Sequence, residues 1–382
     1  MAGDMLSKIA PPGRTGHVSV AYEKCMFVWG GFRENPGAAA NTYFCGSELW
    51  IYSFITERWY LKDISTAYPP GMSGSTAVII KDHLYVFGGY GYSGQGCVNS
   101  LHRLNLENFS WESLKPTGNP PSPVDKMVGW AYKNQFYIFG GFGNPDSVTA
   151  YDFQFVFYHL LWRGWTNQFF QYDPEKNVWK IPKSTGPLPS ARAAHAAAVL
   201  KSKVYIFGGR HDRFRLNDLH CLDMEEMSWS GEFDIKGPIP EGRSWHSFTG
   251  LNEKCLILYG GFSQTNVPLS DCWMFDTVAV LWQQVELPYE KPRLWHSACL
   301  NTFGEVVIYG GCTSNILDLE RTPQQTSDIF AIRLTPKTLY RLCVDKALSL
   351  PELKPLLSSL PQNIQNIIQV LSTDPRSNLE GS

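Results

Sequence analysis

Six short apolar runs punctuate the chain, and each stops at a Gly-Gly pair. The runs read MFVW, YVF, YIF, YIF, LILY and VVIY, and the pairs begin at Gly30, Gly88, Gly140, Gly208, Gly260 and Gly310, at intervals of 58, 52, 68, 52 and 50 residues. Continuous apolar runs of this length, bounded by turn residues, suit strands buried on both faces. A second regularity is tighter. Tyr52, Leu104, Tyr172, Leu222 and Phe275 are each followed seven residues later by a tryptophan, at Trp59, Trp111, Trp179, Trp229 and Trp282. A third lies ahead of the apolar runs: Arg-x-x-His at Arg14/His17, Arg192/His195, Arg243/His246 and Arg293/His296, replaced in repeats two and three by Ser73-Gly-Ser and Lys126-Met-Val-Gly. Each repeat therefore reads as four antiparallel strands. Strand A follows the Arg-x-x-His start, B ends in Gly-Gly, C carries the aromatic or leucine, and D carries the tryptophan. Such units cannot cover both of their faces alone, whereas six arranged radially cover one another and leave short edges. The expected fold is all-β, a six-bladed β-propeller over residues 1–335.

Repeat six supplies strands A, B and C but no tryptophan-bearing strand D, and the N-terminus at about residues 5–9 is expected to fill that place. After Leu334 the pattern becomes helical, with Leu339, Leu342, Cys343 and Ala347 at i, i+3, i+4 and i+8, which predicts a short helical segment over 336–371. A second helix is expected to start at Pro361, and residues 372–382 read as a disordered tail.

A repeat of about 50 residues with the triple signature of Gly-Gly, spaced tryptophan and Arg-x-x-His resembles the kelch repeat. Composition narrows the function classes. The 382 residues carry 33 basic and 35 acidic side chains, a formal net charge of -2, so no global basic field points to nucleic acid. The N-terminus lacks a signal-peptide core and no apolar run approaches a membrane span, so a soluble intracellular protein with no membrane partner is expected. Nine cysteines, odd in number and without a CxxC pair, argue for reduced thiols and against a zinc site. No HExxH, P-loop, GxSxG or dinucleotide fingerprint occurs, so neither catalysis nor a metal or other cofactor is expected. The Arg-x-x-His pairs recur too often to be a single reactive site. They read as an internal hydrogen-bonding device, with the histidine bonded to neighbouring backbone.

In antiparallel blades the B-to-C and D-to-A loops share one rim, which is where function is sought. Three B-to-C loops are long, 31–48, 142–168 and 312–327. The second holds Tyr151, Phe153, Phe155, Phe157, Tyr158, Trp162 and Trp165, which either bind a ligand or form a local core, Trp165 being the foremost candidate for a ligand contact. The fourth loop places Arg210, Arg213 and Arg215 within six residues, beside Arg243-Ser244-Trp245-His246. Guanidinium forks suit planar oxyanions such as carboxylates. The alternative is that Arg210 and Arg215 form surface bridges with Asp212 and Asp218.

The stretch Thr338-Leu339-Tyr340-Arg341-Leu342-Cys343-Val344-Asp345-Lys346-Ala347 is similar to a BC box, the helix by which ubiquitin-ligase receptors dock on elongin C. Leu360-Pro361-Gln-Asn-Ile364 is similar to the Leu-Pro motif of a cullin-2 box. With MFVWGG, MSGS, FGGR, RLNDLH, GRSWHS and KPRLWHS, the chain resembles the kelch domain-containing proteins that act as cullin-2 substrate receptors. That resemblance implies a non-catalytic subunit of a ubiquitin ligase, in the nucleus and cytoplasm, that recognises protein C-termini ending in diglycine. It implies that Arg210, Arg215 and Ser244 hold the terminal carboxylate, that Trp165, Trp245 and Trp295 wall the pocket, and that Lys126 contributes a polar contact. It further implies that Leu339, Cys343 and Ala347 contact elongin B/C, and that Leu360 and Pro361 contact cullin-2 with its RING subunit. The sequence departs from the family at Phe142-Gly143-Asn144 and at Phe32, where an aromatic pair and a tyrosine hydroxyl are expected. Two other classes remain open: a scaffold for cytoskeletal or transcription-factor partners without a ligase role, and a metal-dependent kelch enzyme. The chain's own end, Leu379-Glu380-Gly381-Ser382, is small enough to enter a diglycine pocket, so self-association through the C-terminus is a further expectation.

Overall fold

The computed structural model describes residues 10–35, 41–64, 68–91, 96–144, 153–158, 161–318 and 320–334, with positions 342 and 359. Each Gly-Gly repeat forms one antiparallel sheet. Blade I is Thr15–Tyr22, Cys25–Arg33, Glu48–Ser53 and Arg58–Asp63, paired in chain order. Blade IV is Ala196–Leu200, Lys203–His211, Phe214–Asp223 and Ser228–Glu232, and blade V is Ser247–Gly250, Cys255–Ser263, Pro268–Asp276 and Leu281–Val285. Blades II and III repeat this order. Among the described residues blade VI has three strands, Ser297–Leu300, Val306–Tyr309 and Ile329–Ile332. The expected completion by residues 5–9 lies outside the described residues, as do the expected helical segment and tail, apart from Leu342 and Ser359.

The sequence regularities have direct physical causes. The seven-residue spacing is a hairpin register, since Tyr52 faces Trp59, Leu104 faces Trp111, Tyr172 faces Trp179, Leu222 faces Trp229 and Phe275 faces Trp282. The unbroken apolar runs belong to strands covered on both sides. In Cys25–Arg33, Phe27 and Trp29 pack towards blade II while Met26 and Val28 pack towards Val307 and Tyr309 of blade VI. Six such clusters, one between each neighbouring pair of blades, make up the core. In the four blades that carry the motif histidine, the second glycine of the pair lies against it. At Gly261, with φ +109°, an added Cβ would sit 2.8 Å from the His246 Cβ, so no side chain fits.

A circle of backbone hydrogen bonds runs around the axis of the ring. The third residue of each Arg-x-x-His position donates its N–H to the carbonyl of its counterpart one blade back: Gly74 to Gly16 (2.8 Å), Lys126 to Gly74 (2.7 Å), Ala194 to Lys126 (2.8 Å), Trp245 to Ala194 (2.8 Å), Trp295 to Trp245 (2.8 Å) and Gly16 to Trp295 (3.3 Å). All six residues have positive φ. Four of them are not glycine, a backbone cost that a closed hydrogen-bonded ring offsets.

Candidate functional site

The axial ring and the B-to-C rim together make the site. Side chains at the ring positions line a cavity of about 140 Å³ with the motif histidines and their counterparts. The Trp295 ring lies close against Gly16 and the Lys126 side chain against Gly74, and Trp245 and Trp295 stack with centroids 5.1 Å apart and planes 21° apart. Phe32 packs edge-on against Trp295 at 5.5 Å and stacks on Tyr43 at 5.7 Å. The Lys126 ammonium stands 5.3 Å from the Trp295 ring centre and pairs with the buried Asp125 carboxylate.

Arg210 and Arg215 face each other across the blade IV hairpin, as directly opposed residues of Lys203–His211 and Phe214–Asp223. The Arg215 guanidinium lies over the Phe262 ring at 4.6 Å, and Phe262 packs on Trp245. Arg215 Nε donates to Ser244 Oγ (3.1 Å) and its Nη2 to Asn266 Oδ1 (3.1 Å). Arg210 Nε donates to the backbone carbonyl of Asp212 (2.8 Å), while its own backbone pairs with Ala193 in both directions. Among the described residues neither guanidinium has an ion pair. Burial, and then the nearby Arg210 charge, pull Arg215 from its ordinary 12.5 down to about 10, so it stays protonated at neutral pH. Ser244 is fully buried.

The surface-bridge alternative fails on these contacts. Asp218 belongs to Arg192, whose Nη1 and Nη2 each donate to it at 2.7 Å, and to His220 at 2.8 Å. Burial alone would raise the Asp218 carboxyl, but the His220 and Arg192 hydrogen bonds hold it far below the usual carboxylate range.

The motif arginines are structural. Arg192 and Arg243 each donate to the carbonyl of the first glycine of their blade's pair (3.0 Å), to a backbone carbonyl two residues back (3.0 Å), and to an aspartate, Asp218 or Asp271. The histidines staple neighbouring blades. His246 bonds to the Phe207 carbonyl (3.2 Å), the expected backbone contact, whereas His17 and His296 bond to the hydroxyls of Ser297 (2.7 Å) and Ser247 (2.9 Å). Burial, then the adjacent motif arginine, push His195 and His296 down to about 3. Both are neutral at physiological pH and are not acid–base groups. Among the described residues no group of three His, Cys, Asp or Glu side chains could hold a metal ion.

The predicted pocket residues converge with one qualification. Trp165 is 7% exposed, packed on Phe142 at 4.9 Å and against Ala191 and Ala193. It belongs to a local core that backs the site through His211, 5.9 Å away, and presents little face of its own. The 142–168 stretch, read from sequence as a loop, contains the paired strands Phe153–Tyr158 and Leu161–Thr166. Leu339, Cys343, Ala347, Leu360 and Pro361 lie outside the described residues, as does the tail. Sequence reasoning missed Phe262, Gln264 and Asn266, which hold Arg215. It also missed Arg163, which donates to Cys97 Sγ at 2.7 Å and lies 4.9 Å from the Phe142 ring.

Comparison with known proteins fits this architecture. The family model for the KLHDC2/KLHL20/DRC7 kelch-repeats domain matches residues 16–261 and 161–311. Kelch domain-containing protein 2 of Bos taurus is 38% identical over 354 residues, covering 90% of this chain and 86% of that protein. Kelch domain-containing protein 1 of Mus musculus is 36% identical over 344 residues, covering 87% and 83%. The structure of YjhT shares the fold at a TM-score of 0.62 and 17% identity, over 85% of this chain and 96% of that one. A closed ring of six Gly-Gly blades, matched along nearly its whole length by kelch domain-containing proteins 1 and 2, places the chain in the KLHDC2/KLHL20/DRC7 kelch-repeat family.

Proposed function

We propose that the chain is the substrate-recognition subunit of a cullin-2 RING ubiquitin ligase, and that its propeller binds protein C-termini ending in diglycine. The observation that carries this reading is the pair Arg210 and Arg215, two guanidinium groups on opposed strand positions with no ion pair among the described residues. A free carboxylate supplies the missing charge, and Ser244 Oγ and the Trp245–Trp295 stack bound the space beside it. Charge-assisted hydrogen bonds contribute roughly 1.5 to 3 kcal/mol each. The cavity beside the stacked indoles measures only about 140 Å³, which favours residues without side chains. Kelch propellers are typically non-catalytic interaction scaffolds, which agrees with a receptor. Elongin B/C would engage Leu339, Cys343 and Ala347, and cullin-2 the Leu360-Pro361 region.

The test is a peptide ending in Gly-Gly, offered as free acid and as amide. The acid binds and the amide does not, and Arg210→Ala and Arg215→Ala each weaken binding at least tenfold. Equal affinity for acid and amide refutes the carboxylate reading. The ligase arm is tested separately: Leu339→Ala with Cys343→Phe abolishes co-purification of elongin C without altering peptide affinity, and an undiminished yield of elongin C refutes it.

A further inference from the structure

The blade V hairpin loop, Ser263 to Pro268, contributes no charged group, yet its polar side chains reach over to blade IV. The Gln264 side-chain oxygen accepts from the Arg215 backbone N–H (2.7 Å), and its amide nitrogen donates to the Arg213 carbonyl (2.9 Å). One side chain thus occupies both a donor and an acceptor of the arginine-bearing hairpin. Asn266, held at φ +61°, accepts from Arg215 Nη2. The Ser263 hydroxyl in turn accepts from the Val267 N–H (3.0 Å), which fixes the loop that carries Asn266. Arg215 needs such holding, because Arg210 repels it and burial withdraws it from most of its hydration. A carboxylate from this loop would do it with more energy. The loop uses neutral amides instead, which orient the fork and leave its charge unspent.

We propose that Gln264 and Asn266 are positioning residues that set the pocket's preference for a carboxylate by aiming Arg215 without neutralising it. This rests on the carboxylate reading above and adds the rule that the brace must be uncharged. Planar bidentate recognition depends on the direction of the guanidinium fork, and a brace that is itself an anion competes with the ligand for it.

The experiment compares the full-length chain with Gln264→Ala, Asn266→Ala and Asn266→Asp, each titrated with a Gly-Gly peptide as acid and as amide and each melted thermally. The alanine variants are expected to weaken acid binding about tenfold and to shrink the acid-to-amide ratio with it. Asn266→Asp differs in a way that a packing role cannot mimic. It is expected to melt at or above the wild-type temperature, because Arg215 gains an ion pair, while losing at least a hundredfold in acid affinity. Arg215→Ala in the Asn266→Asp background is then expected to cause little further loss. If wild type discriminates acid from amide but all three variants bind like wild type, the positioning role is wrong and the carboxylate reading stands. If wild type itself does not discriminate, both fall. Asn266→Asp binding the acid as tightly as wild type overturns the uncharged-brace rule on its own.

Discussion

Two buried arginines 28 residues apart offer a direct test of which charges serve the fold and which serve the site. Arg243 is fully buried, with both terminal nitrogens on Asp271 at 2.7 and 2.8 Å. Arg215 is 9% exposed and has no anionic partner among the described residues. Replacing Arg243 with methionine leaves the Asp271 carboxylate without its counter-charge, held only by the Trp273 indole N–H (2.7 Å). The cost of breaking such a pair is about 3 to 5 kcal/mol, and the lower end applies because 22% of the Asp271 side chain is exposed. Arg215→Met does the opposite. The fall of Arg215 from 12.5 to about 10 corresponds to about 3 kcal/mol of folding free energy at 1.36 kcal/mol per pH unit. That penalty is present in full below about pH 10 and is relieved as pH rises towards 12.5. Methionine removes it and keeps contact with Phe262, while the two lost hydrogen bonds of the charged group, to Ser244 and Asn266, cost about 1.5 kcal/mol each. The net change is near zero. A propeller of this size unfolds with about 0.7 kcal/mol per degree, so Arg243→Met should lower the melting temperature by about 4 °C or more while Arg215→Met leaves it within about 2 °C. Differential scanning calorimetry at pH 7.5 reads both, alongside peptide titration, in which Arg215→Met should bind no Gly-Gly acid. Equal destabilisation by the two substitutions would show that Arg215 is a structural residue like Arg243.

The histidine staples make stability fall on acidification. A neutral buried histidine that titrates near 3 when folded and 6.5 when unfolded contributes fully above pH 6.5, and that contribution is lost as pH drops below 6.5 towards 3, at about 1.4 kcal/mol per pH unit for each such histidine. Urea titrations at pH 7 and pH 5 should therefore differ by several kcal/mol, and His296→Gln should narrow the difference. The Gly-Gly pairs should be intolerant at their second position: Gly261→Ala, with its Cβ 2.8 Å from the His246 Cβ, is expected to cost more than about 2 kcal/mol, and Gly237→Ala, with nothing within 4 Å, about 1. Similar urea midpoints for the two alanine variants would contradict the close-packing account.

Much of the propeller was legible because its repeats express geometry in spacing. A seven-residue interval to tryptophan is a hairpin register, and a continuous apolar run is a strand with a sheet on each side. What the spacing concealed was the axial ring, since a backbone hydrogen bond between blades leaves no residue preference beyond tolerance of positive φ. Gly16 and Gly74 hint at it, but Lys126, Ala194, Trp245 and Trp295 occupy the same conformation. The extra hairpin of Phe153–Tyr158 and Leu161–Thr166 was also hidden, because its aromatics read equally well as ligand contacts or core. For Trp165, whose side chain the structure describes, the answer is core.

The site was half legible, and the missing half could have been found by accounting for acids. Four residues before the strand C residue that opposes the tryptophan, or before Ile332 in blade VI, each blade has one recurring position: Glu48, Ser100, Gln168, Asp218, Asp271 and Asp328. It is acidic in the four blades that carry the motif arginine and neutral in the two that lack it. Asp218, Asp271 and Asp328 each pair with their blade's motif arginine at 2.7 to 2.8 Å, and Glu48 approaches Arg14 at 3.9 Å. Within the chain, arginine and acid therefore come and go together, as the paired burial of opposite charges requires. Applied to the fourth loop, the same rule assigns Asp218 to Arg192 and leaves Arg210 and Arg215 without a structural counter-charge. A buried arginine that the repeat does not neutralise destabilises the fold unless something else uses it. Residues that break a local rule without compensation are where binding is to be sought, and in this propeller they sit opposite each other on one hairpin, joined through Phe262 to Trp245 of the axial cavity.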